Sequence, residues 1–267
     1  MLKEILIALA VLFFSSAAFS EPKYLKILVV GDTFAENATK YLQEVVEASG
    51  NQLNLKVASV SSASLEDHLN YTRIHEKDIL STRGKPYIVS KDKRRYSLKE
   101  LLLSNSWDIV TIQQTSSKSY LSETYNPYGK NLQEFIKKYS PKAEIRILQT
   151  WSYAEGEARI QKKHVTYDLM YKGLKEANSA IAKELNIKIV PVGDAIWQAY
   201  KSTELKSKMY QKDKSNINIT GEYLAALVCF ENLYGQSCVG NSFRIKQVNE
   251  EEIKLLQELA HKAVIAE

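Results

Sequence analysis

Residues 25–34 read Leu-Lys-Ile-Leu-Val-Val-Gly-Asp-Thr-Phe. A short apolar, β-branched run stops at Gly31, two polar residues follow, and a helical pattern begins soon after. This is a buried strand that turns directly into a helix, the opening unit of an α/β sheet. In open α/β sheets ligands lie against the C-terminal ends of the strands. Asp32 and Thr33 are therefore the first candidate functional residues. Taken alone, the same pair has a plainer use, capping the helix that follows.

Working outward, the pattern repeats. Residues 37–49 place Leu42, Val45 and Val46 at helical spacing, and Gly50 ends that helix. Residues 53–60 alternate as a second strand. Ser64 and Asp67 make a capping-box start for the next helix. Gly84, Pro86 and two short β-like runs predict a small hairpin over 84–96, and Ser97 caps a short helix, 98–103. Strands follow at 107–112, 144–149 and 187–191, separated by helices at 132–139 and 165–185. Helices near 194–200, 219–234 and 249–264 complete the chain. Strands alternating with helices predict an α/β fold. It is read as a three-layer α/β/α sandwich on a flavodoxin-like, five-stranded, mostly parallel sheet.

The 267 residues, 45% hydrophobic and 25% charged, suit one domain over 21–267. Lys3, the apolar run 5–14 and Ala18-Phe-Ser20 read as a cleaved export signal over 1–20, which places the mature protein in the periplasm or outside the cell. No later stretch is long and apolar enough to span a bilayer. The net charge of +5 is modest. The densest basic run, 91–95, is interrupted by Asp92 and reads as a solvated hairpin loop, not a nucleic-acid or membrane patch. Cys229 and Cys238 are the only cysteines. They make either a disulfide or two separate buried thiols, and no His lies near them in sequence to complete a metal site. No cofactor or metal motif is present.

The strand ends collect polar residues: Asp32 and Thr33, then Ser61 to Ser64, then Gln113 and Gln114, with Asp213-Lys-Ser-Asn216 ahead of the late helix. In this order they resemble the SGNH (GDSL-type) hydrolases, esterases and carbohydrate-ester deacetylases of flavodoxin-like fold. The likeness is greatest to an uncharacterised branch whose first motif reads Gly-Asn-Ser-Phe. The matching stretches are Gly31-Asp-Thr-Phe34, Ser64-Leu-Glu-Asp-His68, Trp107-Asp-Ile-Val-Thr-Ile-Gln-Gln114, Gln149-Thr-Trp-Ser-Tyr153, Pro191-Val-Gly-Asp-Ala-Ile196 and Gly221-Glu-Tyr-Leu-Ala-Ala226.

The resemblance implies a Ser nucleophile after the first strand. It implies an oxyanion hole from a Gly N–H after the second strand and an Asn side chain after the third. A late Asp-x-x-His would supply the acid and base. This chain departs at nearly every position. The nucleophile falls on Thr33, the Gly on Ser62 or Ala63, the Asn on Gln113 or Gln114. The acid is kept as Asp213, but the His position is Asn216. A carboxamide has no basic nitrogen near neutral pH and cannot take the hydroxyl proton.

A substitute base would have to come from His68, His75, His164 or His261, the only histidines. His68 lies one turn after Ser64 and His164 just before the long helix; these two have the better reach. Trp151 and Tyr153, with Tyr120, Tyr125 and Tyr128, either pack or form a stacking platform for a sugar ring. Three readings follow: a catalytically impaired SGNH-fold protein binding a glycan or acyl ester, an esterase using Thr33 with an unconventional base, or an exported interaction protein. Trp151 and the tyrosines packed inward in a filled cleft would exclude the binding reading.

Overall fold

The structure is a computed structural model that describes residues 21–89 and 93–267. The expected export signal lies outside the described residues. Strand β1 (Tyr24–Gly31) leads into helices α1 (Thr33–Thr39) and α2 (Leu42–Ala48), then β2 (Gln52–Ser59) and α3 (Leu65–Lys77). The expected hairpin is β3 (Tyr87–Ile88) and β4 (Arg95–Tyr96), followed by α4 (Leu98–Leu103) and β5 (Ile109–Ile112). Next come α5 (Tyr128–Tyr139), β6 (Glu144–Leu148), α6 (Ala158–Lys162), α7 (Tyr167–Leu185) and β7 (Lys188–Val190). Helices α8 (Val192–Lys201), α9 (Ile219–Tyr234) and α10 (Glu250–Ile265) end the chain.

The main sheet has five strands in the order β2-β1-β5-β6-β7, and all four pairings are parallel. Because successive side chains point to opposite faces of a strand, β1 serves two cores. Ile27 and Val29 join the core built on α1, α2, α8, α9 and α10. Leu28 and Val30 join the core built on α3, α4, α5 and the C-terminal half of α7. The result is the expected three-layer sandwich.

Helix α9 is its most enclosed helix, with 14 of 16 residues buried. It packs on α1, α2, α8 and α10, so no face is left for water. Its two acids are paired: Glu222 with Lys40 at 2.7 Å, and Glu231 with His261 at 2.6 Å. Cys229 and Cys238 are separate, buried thiols.

The helix expected over 37–49 is instead two. Helix α1 starts at Thr33, directly after the strand, and the chain bends at Lys40-Tyr41 before α2. The Thr39 hydroxyl donates back to the Ala35 carbonyl at 2.8 Å, a bond that favours bending at the end of a helix.

The strand order reverses between β1 and β5. The C-terminal ends of these two strands flank the crevice where such a sheet takes its ligand.

Candidate active site

Asp32 caps α1 by accepting from the Phe34 N–H at 2.8 Å. It is also joined to the end of β5 by a two-way contact. Its own N–H donates to Gln113 Oε1 at 2.9 Å, and Gln113 Nε2 donates to its Oδ1 at 3.0 Å. The Thr115 hydroxyl donates to the other carboxylate oxygen at 2.9 Å. Burial pushes the Asp32 carboxyl up from its ordinary pKa, and the donors from Phe34, Gln113 and Thr115 oppose that rise. Only glycine fits at position 31, because a Cβ there would lie 2.3 Å from Gln113 Oε1.

This geometry corrects the reading of the two glutamines as oxyanion donors. Gln113 spends its second N–H on the Gln114 carbonyl at 2.6 Å. Gln114 donates to the carbonyl and hydroxyl of Thr124 at 2.9 and 3.1 Å, and accepts from the Leu65 and Thr115 N–H groups. Both amides fasten the strand edge to its surroundings and have nothing left for a substrate.

The turn after β2 behaves differently. Ser62 has φ +58°, the left-handed conformation that suits glycine, and it is exposed. Its N–H has no hydrogen-bond partner among the described residues. The neighbouring Ala63 N–H is spent on the Val60 carbonyl at 3.0 Å. Of the two residues at the expected glycine position, only Ser62 offers a donor.

Thr33 is the first residue of α1 and is half-buried. Asn37 lies four residues later, on the same face of the helix. Asn37 Nδ2 donates to Asn216 Oδ1 at 3.2 Å, and the Asn216 amide donates in turn to Asp213 Oδ2. Asp213 Oδ1 accepts from the N–H groups of Ser215 and Asn216 at 3.0 and 2.9 Å. Partial burial pushes the Asp213 carboxyl up, but the amide of Asn216 and the two N–H groups together hold it below its ordinary value. Asp213 thus orients Asn216 as an acid orients a base. Asn37 was not among the expected site residues, although its spacing from Thr33 is the signal that finds it.

Three of the four histidines are engaged away from the site. His68 is fully buried, stacked on Tyr87 with its Nδ1 2.8 Å from the Tyr87 hydroxyl, and burial pushes its pKa down to about 4. Its reach toward the cleft is not used: α3 turns it toward the hairpin, where it packs. His75 is buried against Gly84, and His261 is paired with Glu231. His164 is exposed beyond α6.

Of the two readings of the aromatics, packing holds for Trp151, Tyr153 and Tyr125. Trp151 is buried, stacked on Phe34 at 4.3 Å with an 8° interplanar angle, and its indole N–H donates to the Ser215 carbonyl at 2.9 Å. Tyr153 is buried with its hydroxyl 2.8 Å from that of Ser116, and Tyr125 donates to the Ser119 carbonyl at 2.9 Å. Tyr120 and Tyr128 are half-buried. The aromatic part of the cleft is therefore filled and offers no ring face to a sugar. Thr33, Asn37 and Asn216, all half-buried, remain with exposed Asp213 as a small polar surface, and Ser62 is exposed at the end of β2.

Among the described residues no group of three or more His, Cys, Asp or Glu side chains is placed to hold a metal, and no helix is long and apolar enough to cross a membrane.

A parallel sheet in this order, a capped turn after β1 and an acid-oriented side chain ahead of α9 define the fold of the SGNH (GDSL-type) hydrolases. A crystal structure of a candidate SGNH hydrolase from Slackia heliotrinireducens matches with a TM-score of 0.57 at 21% identity, over 79% of this chain and 99% of that one. The lipase/acylhydrolase from Enterococcus faecalis matches with a TM-score of 0.51 at 14% identity, over 79% and 96%. Within this fold the chain belongs to the family described as a domain of unknown function, DUF4886, which matches residues 26–263. A DUF4886 family protein from Bacteroides uniformis ATCC 8492 is similar with a TM-score of 0.80 at 24% identity, over 91% of this chain and 95% of that one. No curated protein matches the chain.

Proposed function

We propose that this chain is an exported protein of ester-hydrolase ancestry that recognises a small acyl ester and hydrolyses it only feebly. The observation that carries this reading is the Asp213–Asn216–Asn37 chain of hydrogen bonds. It keeps an acid and an oriented partner on the helix face that bears Thr33, but the partner is a carboxamide and cannot accept a proton. Thr33 retains a hydroxyl, hindered by its methyl group. The inward packing of Trp151, Tyr125 and Tyr153 rules out the aromatic, glycan-binding form of the binding reading; what is left for a small acyl ester is the polar residues those rings do not cover, Thr33, Asn37 and Asn216. An esterase with an unconventional base is left with exposed His164 alone, since His68, His75 and His261 are engaged elsewhere. A protein with no small-molecule site is disfavoured by the retained Asp213–Asn216–Asn37 chain on the Thr33 face.

The test is steady-state hydrolysis of an activated acetate ester by wild type, Thr33→Ala and the double variant Thr33→Ser/Asn216→His. Loss of a base or nucleophile costs up to about 10^6-fold in turnover. Wild type should run close to buffer and the double variant well above it. Robust wild-type turnover abolished by Thr33→Ala would overturn the impaired reading.

A further inference from the structure

The basic character of this chain is concentrated in one place. Outside residues 90–92, the stretch from Arg73 to Arg95 holds seven Lys or Arg and two Asp or Glu, so its net +5 equals that of the whole sequence. The two acids are engaged: Glu76 lies 3.5 Å from Lys138, and Asp78 accepts from the Leu80 N–H at 2.9 Å. Arg83 and Arg95 make no ion pair or hydrogen bond among the described residues. They line one cavity of about 440 Å³ with Tyr71, Thr82 and Pro86.

The same surface carries apolar side chains in water. Leu80 is 82% exposed and Ile79 65%, at the turn just before Arg83. Ile88 is exposed and pairs directly with Arg95 across the hairpin, so the two side chains share its outer face. The hairpin's other registered pair, Tyr87 and Tyr96, lies on the inner face, where Tyr87 is fully buried. From sequence the basic run reads as a solvated loop because its companions, Arg83 and the Ile79-Leu80 turn, join it only through the fold.

We propose that this face docks on a bilayer rich in anionic phospholipid, with Arg83 and Arg95 receiving a headgroup phosphate and Ile79 and Leu80 entering the interface. Planar guanidinium groups match phosphate oxygens, and cations near an anionic leaflet add attraction that salt screens. Exposed aliphatic residues beside the cations add apolar burial. This inference is independent of the chemistry at Thr33.

The test is co-flotation of residues 21–267, which contain every element of the fold, with vesicles of phosphatidylcholine alone or mixed equally with phosphatidylglycerol. Wild type should float with the mixed vesicles, and salt should release it. Arg83→Ala/Arg95→Ala should weaken binding by roughly twentyfold, at about fivefold per cation. Lys254→Ala/Lys262→Ala, which removes equal charge from exposed positions on α10, should not. Ile79→Ser/Leu80→Ser should weaken binding while leaving its salt dependence. Equal flotation with neutral vesicles, equal loss in both charge variants, or binding of inorganic phosphate with no vesicle association would each overturn the proposal. All variants lie on the surface, and unchanged unfolding midpoints would keep a folding defect from passing for lost binding.

Discussion

At Ser62 the backbone takes φ +58° on a residue with a Cβ. Left-handed conformation costs an L-residue roughly 1–2 kcal/mol, and glycine escapes that cost while losing more chain entropy. Ser62→Gly should therefore stabilise the protein by about 0.5–1 kcal/mol, raising the thermal midpoint by a few degrees. The turn is held in a shape that its own side chain opposes, consistent with a backbone inherited from a glycine-bearing ancestor. His68 gives a second residue-scale expectation. Its folded pKa of about 4 lies below the ordinary 6.5, because burial penalises the charged ring. Stability from the neutral ring is complete above about pH 6.5 and is lost as pH falls toward 4, to the extent of about 3 kcal/mol. Asp32 works the other way: its raised carboxyl pKa favours the fold at low pH and loses that advantage as pH rises through the folded value. The two are separated by urea unfolding of wild type and His68→Gln from pH 4 to 7. The variant should lose the His68 slope and keep that of Asp32.

Between elements, the contact that matters most is the one joining the ends of β1 and β5. Gln113 fills the hydrogen-bonding needs of Asp32 from across the crevice. Gln113→Ala should cost about 2–3 kcal/mol in urea unfolding, since it leaves a buried N–H and a buried carboxylate short of partners. The elements themselves were legible where periodicity and caps agree. The expected helix 219–234 is α9 as observed, and the capping box of Ser64 and Asp67 is present at the start of α3. The break between α1 and α2 was not legible, because no Gly or Pro marks it. The roles of Gln113, Trp151 and His68 were hidden for a shared reason. Their partners Asp32, Phe34 and Tyr87 lie 81, 117 and 19 residues away, so only the assembled sheet decides which way each side chain turns. The Asp213–Asn216 pair was visible as a spacing, whereas its link to Asn37 came from the fold.

Taken whole, the molecule is a sheet whose every main pairing is parallel and whose one seam, between β1 and β5, joins residues 27–30 to 109–112. A parallel pair cannot close through a tight turn; it needs a long crossover, and such long-range pairings form slowly. The two faces of β1 are completed at different distances along the chain. Leu28 and Val30 share their core with α3, α4, α5 and the C-terminal half of α7, all made by residue 189, but Ile27 and Val29 share theirs with α9, which begins only at Ile219, and with α10, which ends the chain. On a ribosome, this order becomes time. At rates of about 5–20 residues per second, one side of the first strand stays uncovered for on the order of ten seconds or more after it is made. The helix most enclosed in the finished protein is thus among the last to be synthesised, and the nascent chain carries a sticky half-built sheet for most of its own translation.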